Sequence, residues 1–278
     1  MRWLICLFTL INFSCIKSTI SEKALKSEFK KEEQKPSLRL MKVGKRTMHF
    51  ADLVNDQRSL IVFIHGSPGS WTAFLEYFKI DSLTKKTDLV SVDRPGFGKS
   101  NRGWPEPDLA RQSELIHEVI STYQHPNKIL VGHSLGGPVI ARMAMDYPDH
   151  YNGLLFIAPS IDPEQEKKEW YRNLIKTKVG GWFTPEDFWT SNEEIVPLKA
   201  ELSKMLPLWE HIKAKSIVLQ GTRDMLVPAE NAAFAKNMMK DSILEVRYLE
   251  NVNHFIPWTH TKHVVKSIFD LLDHSSSE

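Results

Sequence analysis

A short apolar run that leads directly into a Gly-x-Ser-x-Gly turn constrains the fold of this chain more than any other feature. Residues 129–131 precede Gly132, Ser134 and Gly136, and apolar residues then recur at helical spacing up to Met145. A strand that turns so sharply into a helix leaves room only for glycine on either side of the serine. The pattern therefore predicts a strand, a tight turn and a helix, with the hydroxyl of Ser134 exposed at the edge of a sheet.

The helix predicted after Ser134 begins at Leu135, and its first backbone N–H groups point back toward the serine. Negative charge that develops beside Ser134 would therefore meet aligned donors and the positive end of the helix dipole. This arrangement favours Ser134 as a nucleophile. The structural alternative, a serine that only caps the helix, stays open at this point.

Further apolar runs without polar alternation predict a mostly parallel sheet, because strands that are apolar on both faces are buried on both faces. These runs alternate with helical patterns, which is typical of a doubly wound α/β fold. A hairpin of two short strands around Gly44 and Lys45 precedes them. Besides the strand before Gly132, the predicted strands, with the two of the hairpin first, occupy residues 38–43, 46–53, 59–64, 89–93, 153–158, 216–220 and 243–249. The other main predicted helices occupy residues 71–78, 108–123 and 259–272.

Residues 161–212 interrupt this alternation, because they contain helix starts but no strand-like run. Proline after a capping residue, and a Ser-x-x-Glu capping box, both mark the first turn of a helix. We predict that this segment is a helical cap inserted over the sheet. The starts are Asp162-Pro163, Thr184-Pro185 and Ser191-Asn192-Glu193-Glu194.

The predicted cap carries more aromatic surface than one thin helical layer needs for its own core. Trp182, Phe183 and Trp189 follow Gly180 and Gly181. We predict that these three aromatic side chains line an apolar site for an acyl group. The alternative is that they form the core between the cap and the sheet.

A serine hydroxyl becomes an effective nucleophile only when a base accepts its proton and a third group orients that base. Asp224 follows one predicted strand, and His254 follows the last one. Because parallel strands present their carboxyl ends at one edge of the sheet, both residues are predicted to lie near Ser134. Asp162 is an alternative acid, although its position before Pro163 favours a helix N-cap.

From residue 38 to its C-terminus, the chain resembles proteins of the α/β-hydrolase fold that carry a helical cap. The resemblance rests on five motifs in the family's order: His65-Gly66-Ser67-Pro68-Gly69, Asp93-Arg94-Pro95-Gly96-Phe97-Gly98-Lys99-Ser100, Gly132-His133-Ser134-Leu135-Gly136-Gly137, Gly221-Thr222-Arg223-Asp224 and His254-Phe255. It implies a triad of Ser134, Asp224 and His254. It also implies an oxyanion hole built from the backbone N–H groups of Ser67 and Leu135.

The same resemblance implies a serine hydrolase that cleaves ester-type bonds of small or acyl substrates through an acyl-enzyme, with neither a metal nor an organic cofactor. Two alternatives stay open, because one fold serves many functions. One is a hydrolase of amide or carbon–carbon bonds that uses the same triad. The other is a hydrolase-like surface protein that binds a ligand without turnover. The implied protein is a monomer or associates only weakly.

The sequence excludes several other functions. Residues 96–100 resemble the end of a phosphate-binding loop, but Asp93 occupies the position where that loop needs its first glycine. The net charge is +2 and the Lys and Arg residues are scattered, so no nucleic-acid partner is expected. Both cysteines lie within the first fifteen residues, which leaves the folded part without a disulfide or a Cys-based metal site. His65 and His133 are assigned to the scaffold of the turn.

Residues 1–15 have the charged start and short apolar run of a secretory signal, and the run is shorter than the roughly 20 residues that span a bilayer. At its end, Ser14-Cys15 resembles the cleavage site of bacterial lipoproteins, which predicts a lipid on Cys15. Ordinary cleavage and an uncleaved anchor are the alternatives. Residues 16–37 are predicted to be a solvated helix or a tether, followed by the hydrolase domain at 38–278. We therefore predict an exported, membrane-anchored bacterial lipoprotein, either periplasmic or at the cell surface.

Overall fold

An eight-stranded sheet lies at the centre of the computed structural model, which describes residues 19–166, 169–175, 177 and 182–275. The strand order is β1-β2-β4-β3-β5-β6-β7-β8. Strands β1 and β2 form an antiparallel hairpin, β2 pairs antiparallel with β4, and all other pairs are parallel. The predicted mostly parallel α/β fold is therefore confirmed. The predicted signal peptide and Cys15 lie outside the described residues.

The strands are β1 (Ser37–Val43), β2 (Arg46–Leu53), β3 (Ser59–Ile64), β4 (Asp88–Val92), β5 (Asn127–His133), β6 (Gly153–Ile157), β7 (Lys215–Gly221) and β8 (Leu244–Leu249). The helices are α1 (Glu22–Glu28), α2 (Asp81–Thr84), α3 (Leu109–Ile120), α4 (Gly136–Asp146), α5 (Trp170–Ile175), α6 (Glu186–Met205), α7 (Glu230–Met238), α8 (Ile256–Thr259) and α9 (Thr261–Ser275). Within the described residues, 3₁₀ segments span Trp71–Lys79 and Leu206–His211.

The sheet is buried on both faces because successive side chains of a strand point to opposite sides. In β3, Leu60 and Val62 belong to the hydrophobic cluster under α3, α4 and α6, whereas Ile61 and Phe63 belong to the opposite cluster. The second cluster is covered by α9, by the 3₁₀ segment Trp71–Lys79 and by α1. Continuous apolar strands are thus required here, since each face packs against a helical layer.

Helix α1 lies within the segment that the sequence assigns to a tether. Ser21 caps it by accepting a hydrogen bond from the backbone N–H of Ala24. Leu25 and Phe29, four residues apart, and the preceding Ile20 are all buried in the second cluster. The four-residue spacing places both apolar side chains on one helical face. The structure therefore shows a packed helix within this segment.

The connection between β6 and β7 contains the helices of the cap. Helix α6 begins after Pro185, as the Thr184-Pro185 pattern predicts, and runs for 20 residues. Ser191 and Glu194 lie inside this helix with buried side chains, so the predicted helix start at Ser191 is wrong. No helix in the described ranges is both long and apolar enough to cross a bilayer.

Candidate active site

Ser134 occupies the tight turn between β5 and α4. Its φ of +54° is an unusual value for a residue with a side chain. The backbone of Ser134 is held on both sides, because its N–H donates to the Ile157 carbonyl at 3.0 Å and its carbonyl accepts from Gly137 N–H at 2.8 Å. A Cβ atom at Gly132 would collide with the backbone of Gly136. The turn that the sequence predicts is therefore present.

Asp224 and His254 meet beyond the ends of β7 and β8. His254 Nδ1 lies 2.7 Å from Asp224 Oδ2, and the Asp224 side chain is fully buried. The second carboxylate oxygen, Oδ1, accepts hydrogen bonds from the backbone N–H groups of Leu226 at 2.9 Å and Val227 at 2.8 Å. These bonds fix the carboxylate so that it orients the imidazole. With Nδ1–H donated to Asp224, the Nε2 atom of His254 is able to accept a proton.

Asp162, the alternative acid, has a different role in the structure. Its Oδ1 accepts from the backbone N–H of Glu164 at 2.9 Å, and its own N–H donates to Asn231 Oδ1 at 2.8 Å. Asp162 is also absent from the residues that line the cavity beside Ser134. The carboxylate therefore stabilises a local turn, and the structure brings Asp224 into contact with His254.

The loop after β3 lies directly against the turn that contains Ser134. A Cβ atom at Gly66 would come within 2.9 Å of Ser134 Cβ, so only glycine allows this approach. Ser67, the next residue, lines the cavity together with Ser134 and Leu135. Leu135 is the N-cap residue of α4, which begins at Gly136. The two backbone N–H groups that the family resemblance implies for an oxyanion hole therefore belong to segments that border Ser134.

His65 and His133 are buried beside this turn. Burial lowers the pKa of each well below its usual value, and the charge of Arg94 adds to this effect at His65. His65 Nδ1 lies 2.6 Å from the Gly66 carbonyl, and His65 Nε2 accepts from Arg94 N–H at 3.0 Å. His133 Nε2 lies 3.1 Å from the His254 carbonyl. Both rings are therefore neutral near pH 7 and hold backbone groups in place.

One cavity of about 1130 Å³ contains Ser134 and His254. Part of its wall is apolar, and the polar part includes Ser160, Glu166, Glu169 and Arg172. Burial raises the pKa of Glu166, which accepts a hydrogen bond from Ser160 Oγ. The apolar lining of the cavity includes Leu75, Ile195, Leu198, Met225, Leu226 and Trp258.

The structure does not bring the three predicted cap aromatics into this cavity. Trp182 and Phe183 are 87% and 80% exposed, Trp189 is half-buried, and the described cavity lining includes none of them. The cap contributes Ile195 and Leu198 of α6 instead. Neither residue is expected in the site from the sequence analysis above, although a three-residue spacing on a helix places both side chains on one face.

The site lies within the part of the chain that resembles known proteins. The model of a family described as "Alpha/beta hydrolase family" matches residues 61–265, a range that includes Ser134, Asp224 and His254. Epoxide hydrolase 1 of Caenorhabditis elegans is 26% identical over 205 residues, which cover 70% of this chain and 48% of that protein. The (lyso)-N-acylphosphatidylethanolamine lipase of Homo sapiens is 30% identical over 108 residues, 37% of this chain and 31% of that protein.

This chain thus spans about half or less of the length of these two curated relatives. Among solved structures, one titled as a membrane phospholipase A and bacterial virulence factor has a TM-score of 0.66 and is 17% identical. The likeness covers 100% of this chain and 99% of that one. At this identity, the likeness shows a shared fold alone.

Proposed function

Because the chain belongs to the alpha/beta hydrolase family, we propose that it is a serine hydrolase that cleaves ester-type bonds through an acyl-enzyme on Ser134. The hydrogen bond between Asp224 and His254, at the cavity that contains the strained Ser134, is the observation that carries this proposal. A strained serine and an oriented histidine at one cavity match the requirements of nucleophilic catalysis.

In the proposed mechanism, His254 Nε2 accepts the proton of the Ser134 hydroxyl while Ser134 Oγ attacks the ester carbonyl carbon. The carbonyl oxygen becomes negatively charged and accepts hydrogen bonds from the backbone N–H groups of Ser67 and Leu135. His254 then returns the proton to the leaving alcohol as the tetrahedral intermediate collapses. Water repeats the sequence and releases the acid. Asp224 keeps His254 in the productive tautomer and stabilises the imidazolium that forms.

The cavity wall supports an acyl substrate. Each methylene that leaves water contributes about 0.8 kcal/mol, so we expect kcat/KM for aryl esters to rise about fourfold per methylene until the apolar wall is covered. Ile195→Trp fills part of that space. It is therefore expected to lower kcat/KM for long-chain aryl esters and to leave kcat/KM for the aryl acetate unchanged. Steady-state kinetics with aryl esters of graded chain length measure this profile, and the matching aryl amides separate ester from amide cleavage.

Trp182→Ala is the matched control, because Trp182 is exposed and does not line the cavity. We expect this variant to keep the chain-length profile of the wild type. A uniform loss across chain lengths in Ile195→Trp would contradict the acyl site along α6. A selective loss of long-chain activity in Trp182→Ala would restore the aromatic site expected from the sequence.

We extend the proposal to a lipid anchor on Cys15, which lies outside the described residues. Ile20, five residues after Cys15, lines the cavity. Five extended residues reach at most about 18 Å, so an anchor at Cys15 would keep the cavity close to a membrane. This distance favours acyl substrates that partition into lipid.

The variant Cys15→Ala tests the anchor. A single cysteine carries the proposed lipid, so its loss is expected to move the protein from the membrane fraction of expressing bacteria to the soluble fraction. Cys6→Ala is the control, since Cys6 lies within the apolar run of the signal. A wild-type protein that is already soluble, or a Cys15→Ala protein that stays with the membrane, would contradict the anchor.

A further inference from the structure

A buried ion pair joins the sheet to the cap beside the proposed site. Arg94, in the loop after β4, faces Glu194 of α6 through two hydrogen bonds of 2.9 Å each. Both side chains are almost completely buried. Gln112 of α3 bonds both members of the pair, because it accepts from Arg94 at 2.9 Å and donates to Glu194 at 3.1 Å.

Joining the cap to the sheet does not by itself require this arrangement. The cost of removing two charges from water often exceeds their mutual attraction, so buried ion pairs are weak sources of stability. In addition, Arg102 and Asp187 already connect the same loop to the same helix at the surface, through bonds of 2.8 Å and 3.0 Å. The other contacts of the buried pair indicate its role.

Both members of the pair also hold the loop that borders Ser134. Arg94 donates to the carbonyl oxygens of His65 at 2.9 Å and Gly66 at 3.1 Å. Glu194 Oε2 accepts from the Ser67 hydroxyl at 3.1 Å. The network therefore fixes the peptide group between Gly66 and Ser67 from both ends.

The direction of the Ser67 N–H follows from the geometry of that peptide. In a planar trans peptide, the C=O and N–H groups point in opposite directions. Because the Gly66 carbonyl is held on the side of Arg94, the Ser67 N–H points away from the ion pair. Ser67 lines the same cavity as Ser134.

We propose that Arg94 and Glu194 are positioning residues of the oxyanion hole, which orient the Ser67 N–H by holding the Gly66–Ser67 peptide between the sheet and the cap. This inference rests on the proposed hydrolase function. Glu194 is followed on α6 by Ile195, which lines the cavity. The helix that contacts the acyl chain thus also sets the oxyanion donor.

Glu194→Gln tests this role, because it keeps the size and one acceptor oxygen of the side chain. It removes the charge and weakens the hydrogen bond that the side chain accepts from the Ser67 hydroxyl. Loss of one oxyanion donor costs roughly 10²–10³ in kcat, so a misaligned donor is expected to cost about 10- to 100-fold. The rate is expressed per active site titrated with a fluorophosphonate, which removes the effect of unfolded protein. KM is expected to stay within about threefold, since the ground-state ester carries no oxyanion.

A trifluoromethyl ketone supplies a second readout, because its adduct with the serine carries a negative oxygen in the same position. Its inhibition constant is expected to rise by the same factor as kcat/KM falls. Asp187→Asn is the matched control, since it removes the carboxylate charge from the surface pair with Arg102 between the same loop and helix. We expect wild-type kcat and inhibition in this control.

Ser67→Ala covers the case in which Glu194→Gln does not fold. It removes only the hydroxyl bond to Glu194 and keeps the backbone N–H, so a smaller loss of kcat with the same parallel change in inhibition is expected. Unchanged kcat and inhibition in these variants, or a rise in KM alone, would overturn the positioning role. A wild-type protein without hydrolysis or labelling would instead overturn the proposed function, so the two failures are distinguishable.

Discussion

Ser134→Ala is expected to reduce ester hydrolysis by roughly 10⁴- to 10⁶-fold, because without the hydroxyl no acyl-enzyme forms. Covalent labelling by a fluorophosphonate is expected to disappear with it. The fold is expected to persist, since the backbone of the turn is held by hydrogen bonds to Ile157 and Gly137. Steady-state kinetics and gel-based labelling measure both effects, and circular dichroism checks the fold.

Ser203→Ala is the control for this variant, because Ser203 is an exposed serine of α6 whose hydroxyl donates to the Lys199 carbonyl. Wild-type rates and labelling are expected there. Ser160 also lines the cavity and is still present in Ser134→Ala. Labelling of Ser160, or of any other serine at the wild-type rate, would remove Ser134 from the nucleophile position.

The second large effect is expected from Asp224→Asn, which should lower kcat by roughly 10⁴. The asparagine oxygen is able to keep the hydrogen bonds to Leu226 and Val227, but its NH₂ group would then face His254 Nδ1. Two donors cannot bond each other, so the imidazole is forced into the tautomer that carries its proton on Nε2. That tautomer is unable to accept the proton of Ser134. Little change in melting temperature is expected, because the backbone bonds of the turn are retained.

Asp162→Asn is the matched comparison for Asp224→Asn. Its side-chain oxygen keeps the 2.9 Å bond from Glu164 N–H, so neither kcat nor melting temperature is expected to change much. Steady-state kinetics and thermal melting of both variants measure kcat and the melting temperature. An inactive Asp162→Asn protein beside an active Asp224→Asn protein would move the acid to the end of β6.

Local rules explain why the sheet and the turn at Ser134 are predictable from the sequence. Apolar runs on both strand faces specify burial between two helical layers, as Ile61 and Val62 show by packing on opposite sides. The turn at Ser134 requires glycine at two fixed positions, which few other structures do. The placement of Ser134, Asp224 and His254 at one edge of the sheet then follows, because the carboxyl ends of parallel strands meet at that edge.

The cap is less predictable, because its contacts join residues that are distant in the sequence. Ser191 and Glu194 have the spacing of a capping box, yet Glu194 is used for a buried bond to Arg94, 100 residues away. Aromatic content alone does not distinguish a cavity wall from a surface, so Trp182 and Phe183 were expected in the cavity but are exposed. Long-range packing decides both cases.

Trapping of the covalent intermediate would show directly whether Ser134 is the nucleophile. Aryl carbamates acylate serine hydrolases to give carbamoyl-enzymes that hydrolyse slowly, so the adduct accumulates. Peptide mapping by tandem mass spectrometry after inactivation with such a carbamate then locates the modified side chain. We expect one carbamoyl group on Ser134, formed in the wild type and absent in Ser134→Ala. A carbamoyl group on any other residue, with Ser134 unmodified, would contradict this expectation.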